Sequence, residues 1–113
     1  MDIETSLIVM YAIIGMLEII LGLPLLYGKV KRNIFYGFRL PKTLSNDEIW
    51  YKANKYTGKD LIYSGIFLIV CSFILFIFRY SVSILDFTII LTFLLLASVC
   101  IMIIKGLLFL KKL

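Results

Sequence analysis

Residues 29–60 read KVKRNIFYGFRLPKTLSNDEIWYKANKYTGKD and form the one long polar segment of the chain. Apolar segments at about residues 6–27, 61–78 and 84–104 lie on both sides of it. Each has about 18 residues or more, which is the length that crosses a hydrocarbon core about 30 Å thick. We therefore expect an all-α integral membrane protein, with three transmembrane helices in one domain over residues 1–113.

The composition agrees with a membrane protein and argues against an enzyme. Of the 113 residues, 62% are hydrophobic, and the mean hydropathy is +1.04; a soluble domain has roughly 45–50% apolar residues. Histidine is absent, which removes the usual general base and the usual zinc ligand. Cys71 and Cys100 lie in separate apolar segments and are predicted to be buried thiols. We expect no catalytic residue, no cofactor and no metal site.

The positions of the basic residues predict the orientation. Eleven of the 12 Lys and Arg residues lie in the polar segment or after residue 104, and Arg79 is the exception. Basic residues are enriched on the cytoplasmic side of membrane proteins. This predicts a cytoplasmic loop over residues 28–60, a cytoplasmic C-terminus and an N-terminus outside. The net charge of +5 is then balanced by anionic lipid, and a nucleic-acid partner is not expected.

The first span carries one charged residue near its middle, Glu18. Tyr11, Gly15, Glu18 and Gly22 fall on one helical face, and the glycines allow another helix to approach closely. An ionisable residue inside a membrane is a functional-site hypothesis by default. We expect Glu18 to be protonated, paired with Arg39 or a lysine, or open to a cavity that has the polar segment as its floor.

The other spans carry weaker signals. Gly65 and Ser72 share one face of the second span, which suits helix packing. Ser83 is predicted to cap the third span, with Asp86 three residues later. Thr88 and Thr92 are expected to bond back to their own helix.

The polar segment divides into two parts. Residues 29–41 mix basic and aromatic side chains, which predicts a loop at the headgroup level, and Gly37 predicts a sharp turn or a positive φ. Ser45 and Glu48 form an S-x-x-E capping box, so a helix is expected to start near Asn46. Its apolar and basic residues divide between two faces, which predicts an amphipathic helix on the membrane surface that turns into the second span at Gly58.

The pattern N-x-x-Y-G-x-R-x-x-x-T-x-x-x-x-x-x-W-x-x-A-N resembles the motif of the SdpI family of bacterial membrane proteins, named after an immunity protein against a secreted peptide toxin. It is carried by Asn33, Tyr36, Gly37, Arg39, Thr43, Trp50, Ala53 and Asn54. The order of one span, a motif loop and two further spans is similar to that family's C-terminal module. The resemblance implies location in the bacterial cell membrane.

The motif residues have several candidate roles. The guanidinium of Arg39 suits a phosphate headgroup, Glu18 or the carboxylate of a partner. Trp50 is expected to be an interfacial anchor more than a ligand platform. Asn33 and Asn54 are expected to cap turns or to tie the loop to the surface helix by hydrogen bonds.

Two functions follow as hypotheses. The resemblance implies immunity against a membrane-active peptide toxin, with signalling to a cytosolic regulator through the basic polar segment. The alternative is a subunit of an oligomeric carrier for protons or lipophilic cations that uses Glu18, because three helices enclose little volume on their own. The expected partners are the lipid bilayer, a peptide toxin, a cytosolic regulator and further copies of the chain.

Overall fold

The computed structural model describes all 113 residues, and it contains four helices and no strands. The helices are α1 (Ile3–Leu26), α2 (Pro41–Leu44), α3 (Asp47–Ile77) and α4 (Ile84–Leu110). By length and composition, α1, α3 and α4 can each cross a membrane. This confirms the all-α membrane architecture with three spans. The bundle measures 51 × 23 × 19 Å.

The second span and the predicted surface helix are one element. α3 runs without a break for 31 residues, or about 46 Å, so it is longer than the hydrocarbon core is thick. The expectation of a separate amphipathic helix that turns at Gly58 was therefore wrong. Gly58 is buried inside α3, where a Cβ atom would come within 2.9 Å of the Gly22 carbonyl oxygen. It serves close helix packing, and the chain does not turn there.

The start of α3 lies where the sequence predicted, but a different residue caps it. The Asn46 side chain accepts hydrogen bonds from the backbone N–H groups of Glu48 (2.8 Å) and Ile49 (3.2 Å). Ser45 instead donates its hydroxyl to the Lys42 carbonyl at 2.8 Å. The capping box on Ser45 was thus wrong, because an asparagine at the last extended position satisfies the same backbone donors.

α1 and α3 pack through two pairs of glycines. Gly15 faces Gly65, and Gly22 faces Gly58. A Cβ atom on Gly15 would lie 2.7 Å from the Gly65 carbonyl oxygen, and one on Gly22 would lie 2.7 Å from the Gly58 carbonyl oxygen. These backbones touch because no side chain stands between them. The predicted glycine face of α1 is confirmed, and so is the packing role of Gly65.

α4 contacts the other two helices less extensively. Leu91 is fully buried in the small apolar cluster that also holds Tyr11 and Leu68. Next to it, the hydroxyls of Tyr11 and Thr92 lie 3.1 Å apart. Thr92 therefore bonds across to α1, and the expectation that it bonds back to its own helix was wrong. Thr88 does bond back, to the Ile84 carbonyl at 2.9 Å.

The ends of the bundle distant from α2 are capped as well. Ser83 caps α4 by accepting the Asp86 backbone N–H at 3.2 Å, as predicted. Asp2 caps α1 and accepts a hydrogen bond from the Tyr80 hydroxyl at 2.9 Å. Hydrogen bonds from Thr5, and then from Tyr80, lower the pKa of Asp2 from 3.8 to about 2. This link between the start of α1 and the α3–α4 turn is therefore kept down to strongly acidic pH.

The bundle buries little of its own surface. Only 17 of the 113 residues are buried, and large apolar side chains are exposed along all three long helices. A soluble protein does not expose apolar surface on this scale. The exposed side chains are therefore the lipid-facing surface of a multi-pass membrane protein.

Candidate functional site

The segment between α1 and α3, here called the motif loop (residues 29–46), is folded onto the first turns of α3 around Trp50. The Trp50 side chain is completely buried, and its Nε1 donates to the Val30 carbonyl at 2.9 Å. Gly37 lies against the edge of the ring. Trp50 is thus covered by the protein's own loop, and the expectation of an interfacial anchor was wrong.

Asn54, one turn after Trp50, ties the middle of the motif loop to α3. Its Oδ1 accepts the Phe38 backbone N–H at 2.6 Å, and its Nδ2 donates to the Trp50 carbonyl at 2.9 Å. The side chain is 2% exposed, so both bonds are shielded from water. The hydrogen bonds expected of Asn54 are confirmed.

Gly37 is required at this point for two reasons. Its φ is +113°, which L-residues rarely adopt. A Cβ atom would also lie 2.7 Å from Asn54 Oδ1 and 3.1 Å from the Trp50 ring. The positive φ predicted from the sequence is confirmed. The absence of a side chain at Gly37 also lets the backbone of the loop approach α3 closely.

Asn33 and Thr43 form the turns at either side of this contact. Asn33 Oδ1 accepts the backbone N–H groups of Phe35 (2.8 Å) and Tyr36 (2.7 Å), which is the capped turn that the sequence predicted. The buried Thr43 hydroxyl accepts the Leu40 backbone N–H and lies 2.8 Å from the carbonyl of Phe38. Thr43 belongs to α2, a single turn that was not predicted.

The motif loop also contacts α1 and α4. The Tyr36 hydroxyl donates to the Leu21 carbonyl of α1. Lys42 Nζ donates to the Leu110 carbonyl at the end of α4 with a distance of 2.9 Å. A cavity of about 200 Å³, lined mainly by apolar side chains, lies between the loop and the three long helices. Tyr36 and Phe38 line it from the loop side. The loop is therefore fixed to all three helices.

Burial of Tyr36 gives the docked loop a pH dependence. Desolvation raises the pKa of the Tyr36 phenol above 10.0, so the folded state keeps this proton when the unfolded state has lost it. The docked loop is therefore most stable below pH 10 and is expected to loosen as the pH rises through the folded-state pKa. Fluorescence of Trp50, the one tryptophan of the chain, reports the change.

Tyr36→Phe is the control for this prediction. It removes the titrating group, and it costs about 1 kcal/mol at neutral pH because the bond to Leu21 is lost. The alkaline transition of the variant should move to higher pH than that of the wild type. An unchanged midpoint would contradict the role assigned to Tyr36.

The outer surface of the motif loop has an exposed crest formed by Ile34, Phe35 and Arg39. Phe35 is 83% exposed and Ile34 is 66% exposed. The Arg39 guanidinium donates to the Ile34 carbonyl and forms no salt bridge. The crest thus presents two apolar side chains and one guanidinium that has no carboxylate partner. Its remaining N–H groups can bind a carboxylate or a phosphate.

Glu18 lies apart from the motif loop. It forms no salt bridge, and its Oε2 is buried without a hydrogen-bonding partner. It does not line the cavity beneath the loop. The expected pairing with Arg39, and a cavity shared with the loop, were therefore wrong. Tyr36 holds the loop at Leu21, about 4.5 Å further along α1 towards its C-terminus.

One pair of polar residues was missed in the sequence. Lys105 of α4 lies 2.8 Å from Asp60 of α3. Each is the charged residue at the end of an apolar span on the side of the motif loop. The second and third spans cross the same membrane, so the charged residues at their ends on the side of the motif loop are expected at a similar depth in the bilayer.

Residues 29–106 match the model of the SdpI/YfhL protein family. The match covers more than half of the chain and includes the motif loop, α3 and most of α4. A search of curated proteins and a search of solved structures found no match. All eight residues of the motif lie inside the matched region, as the resemblance implied. The chain belongs to the SdpI/YfhL protein family.

Proposed function

We propose that this protein protects its cell against a membrane-active peptide toxin and that the motif loop is the working surface. Membership of the SdpI/YfhL family supports the class of function. The role of the loop is supported by the way in which it is held on α3. Buried Trp50 and Asn54 hold it on α3, while Arg39 is exposed and has no carboxylate partner.

The proposed orientation places the motif loop and the C-terminus in the cytoplasm. The loop end of the bundle carries eleven of the 12 basic residues, and the other end carries Arg79. The positive-inside rule favours this arrangement.

A cysteine introduced at Phe35 should then react with a membrane-impermeant maleimide only after the cells are opened. Labelling in intact cells would reverse the orientation.

The crest also suits a cytosolic regulator as a partner. The acidic residues in the first turn of α3 are already paired, Asp47 with Arg32 at 3.3 Å and Glu48 with Lys52 at 2.9 Å. Arg39 is thus the cation of the crest that has no acidic partner, and we propose that it binds a carboxylate of the regulator. The apolar side chain of Phe35 would add buried contact area in such a complex.

Transport by an oligomer is the second candidate. One observation favours it, namely the buried Oε2 of Glu18 that has no hydrogen-bonding partner inside the span. Ionisable side chains within transmembrane segments mark ion and proton pathways in many proteins. Since one chain encloses little volume, several copies would have to surround such a pathway.

Survival of a sensitive bacterial host separates the two candidates. Cells that carry the wild-type protein, Glu18→Gln or no insert are challenged with a peptide toxin of the type that the family counteracts, at equal membrane levels of protein. Protection by both the wild type and Glu18→Gln supports immunity that does not use this carboxyl. No protection by the wild type, together with a proton flux that Glu18→Gln abolishes, supports transport and contradicts the immunity proposal.

A further inference from the structure

A groove of about 350 Å³ lies between α3 and α4, and it shares one lining residue, Met102, with the cavity beneath the motif loop. This volume is within the range of pockets that hold small ligands. Phe67 and Ile101 line it and are about half exposed, so the groove opens onto the lipid-facing surface. Its two charged lining residues are Asp60 and Lys105, and they lie together at the end nearer to the motif loop.

The ion pair at this end is incompletely satisfied. Lys105 Nζ donates to Asp60 Oδ1 at 2.8 Å, while Asp60 Oδ2 is buried without a partner. The Asp60 side chain is only 10% exposed, whereas that of Lys105 is 48% exposed. A buried carboxylate oxygen without a donor is costly. Lys105 has room to move towards the membrane surface, as long basic side chains do at this level.

The dimensions of the groove match one leaflet of a bilayer. Its α4 wall extends from Lys105 to Leu94, which is about 16 Å along a helix. Half of a hydrocarbon core is about 15 Å thick. The charged end therefore lies near the headgroup level when the apolar end lies near the middle of the bilayer.

We propose that this groove binds one phosphatidylethanolamine molecule from the leaflet on the side of the motif loop. Lys105 turns to the lipid phosphate, and the primary ammonium of the lipid takes its place as donor to the Asp60 carboxylate. One acyl chain lies along the apolar wall. This inference does not depend on the proposed immunity function.

Charge complementarity selects this lipid over the others. The groove offers one negative and one positive group, which matches a zwitterion. Phosphatidylglycerol has a phosphate for Lys105 but no cation for Asp60. Phosphatidylcholine also carries a cation, but its quaternary ammonium has no N–H group. Asp60 would therefore stay without a hydrogen bond from this lipid. A lipophilic amine would satisfy Asp60 and leave Lys105 without a partner.

The test uses the purified full-length protein in detergent. It is equilibrated with an equimolar mixture of phosphatidylethanolamine, phosphatidylcholine and phosphatidylglycerol of the same acyl chains, and bound lipid is counted by native mass spectrometry. The wild type is expected to retain phosphatidylethanolamine over phosphatidylcholine by roughly tenfold, the effect of one hydrogen bond to a charged group. Asp60→Asn should bring the two lipids to about equal retention.

A second pair of variants keeps the test decisive if Asp60→Asn does not fold. Ala97 lines the groove, whereas its neighbour Leu96 is 60% exposed and does not. Ala97→Phe should lose the bound lipid, and Leu96→Phe should keep it. Equal retention of the three lipids by the wild type, a preference for phosphatidylglycerol, or full retention by Ala97→Phe would each overturn the proposal.

Discussion

Replacing Trp50 with alanine is expected to destabilise the docked motif loop by about 3–5 kcal/mol, the usual cost of deleting a fully buried large aromatic side chain. The ring is 0% exposed and fills the space between α3 and the loop. The substitution also leaves the Val30 carbonyl without the Nε1 donor that it has at 2.9 Å. The loop should then detach from α3, although the three spans remain inserted.

Trypsin susceptibility of the purified protein measures this effect. The basic residues at the start of the loop, Lys29, Lys31 and Arg32, should be cleaved much faster in Trp50→Ala than in the wild type. Tyr51→Ala is the matched control, because it removes a neighbouring aromatic side chain that is 37% exposed. Equal cleavage rates for Trp50→Ala and the wild type would show that Trp50 does not hold the loop.

Gly65→Val is expected to separate α1 from α3 and to lower the free energy of unfolding by about 3 kcal/mol, at the upper end of the usual cost of overpacking. A Cβ atom at Gly65 would meet the carbonyl oxygen of Gly15 and would lie 2.8 Å from the Ile19 side chain. The backbone cannot move aside as a flexible side chain can. The helices must therefore shift apart along their whole contact.

The effect is measured by unfolding in mixed micelles with rising mole fractions of dodecyl sulfate, followed by circular dichroism. Ile66→Val is the matched control, since Ile66 is the next residue on α3 and is 47% exposed. Gly65→Val should unfold at a clearly lower mole fraction of dodecyl sulfate than the control. Coincident curves would mean that the glycine contacts do not hold α1 on α3.

The parts of the structure that depend on local pattern could be predicted from the sequence. Apolar length identified the three spans, because no other element satisfies the backbone in lipid. Helical spacing placed Gly15 and Gly22 on one face, and they pack on α3 there. The turn at Asn33 and the positive φ of Gly37 followed from the chemistry of single residues.

Most contacts between distant segments could not be predicted, although the bond from Asn54 to the motif loop was. Trp50 suits the membrane interface as well as it suits a core, and only the fold shows that Val30 and Gly37 cover it. Gly58 suits a turn as well as a close helix contact, and the position of Gly22 opposite to it decides between them. The Asp60–Lys105 pair joins residues 45 positions apart, beyond the reach of any local pattern.

The exposed crest of the motif loop is proposed to be the surface that confers protection. The most direct test is toxin survival of cells that express Arg39→Ala or Arg79→Ala, each at the membrane level of the wild type. Each variant removes one arginine, from opposite ends of the bundle. Arg39→Ala is expected to lose protection, and Arg79→Ala is expected to keep it. Full protection by Arg39→Ala would contradict this proposal, because the guanidinium of the crest would then have no part in the function.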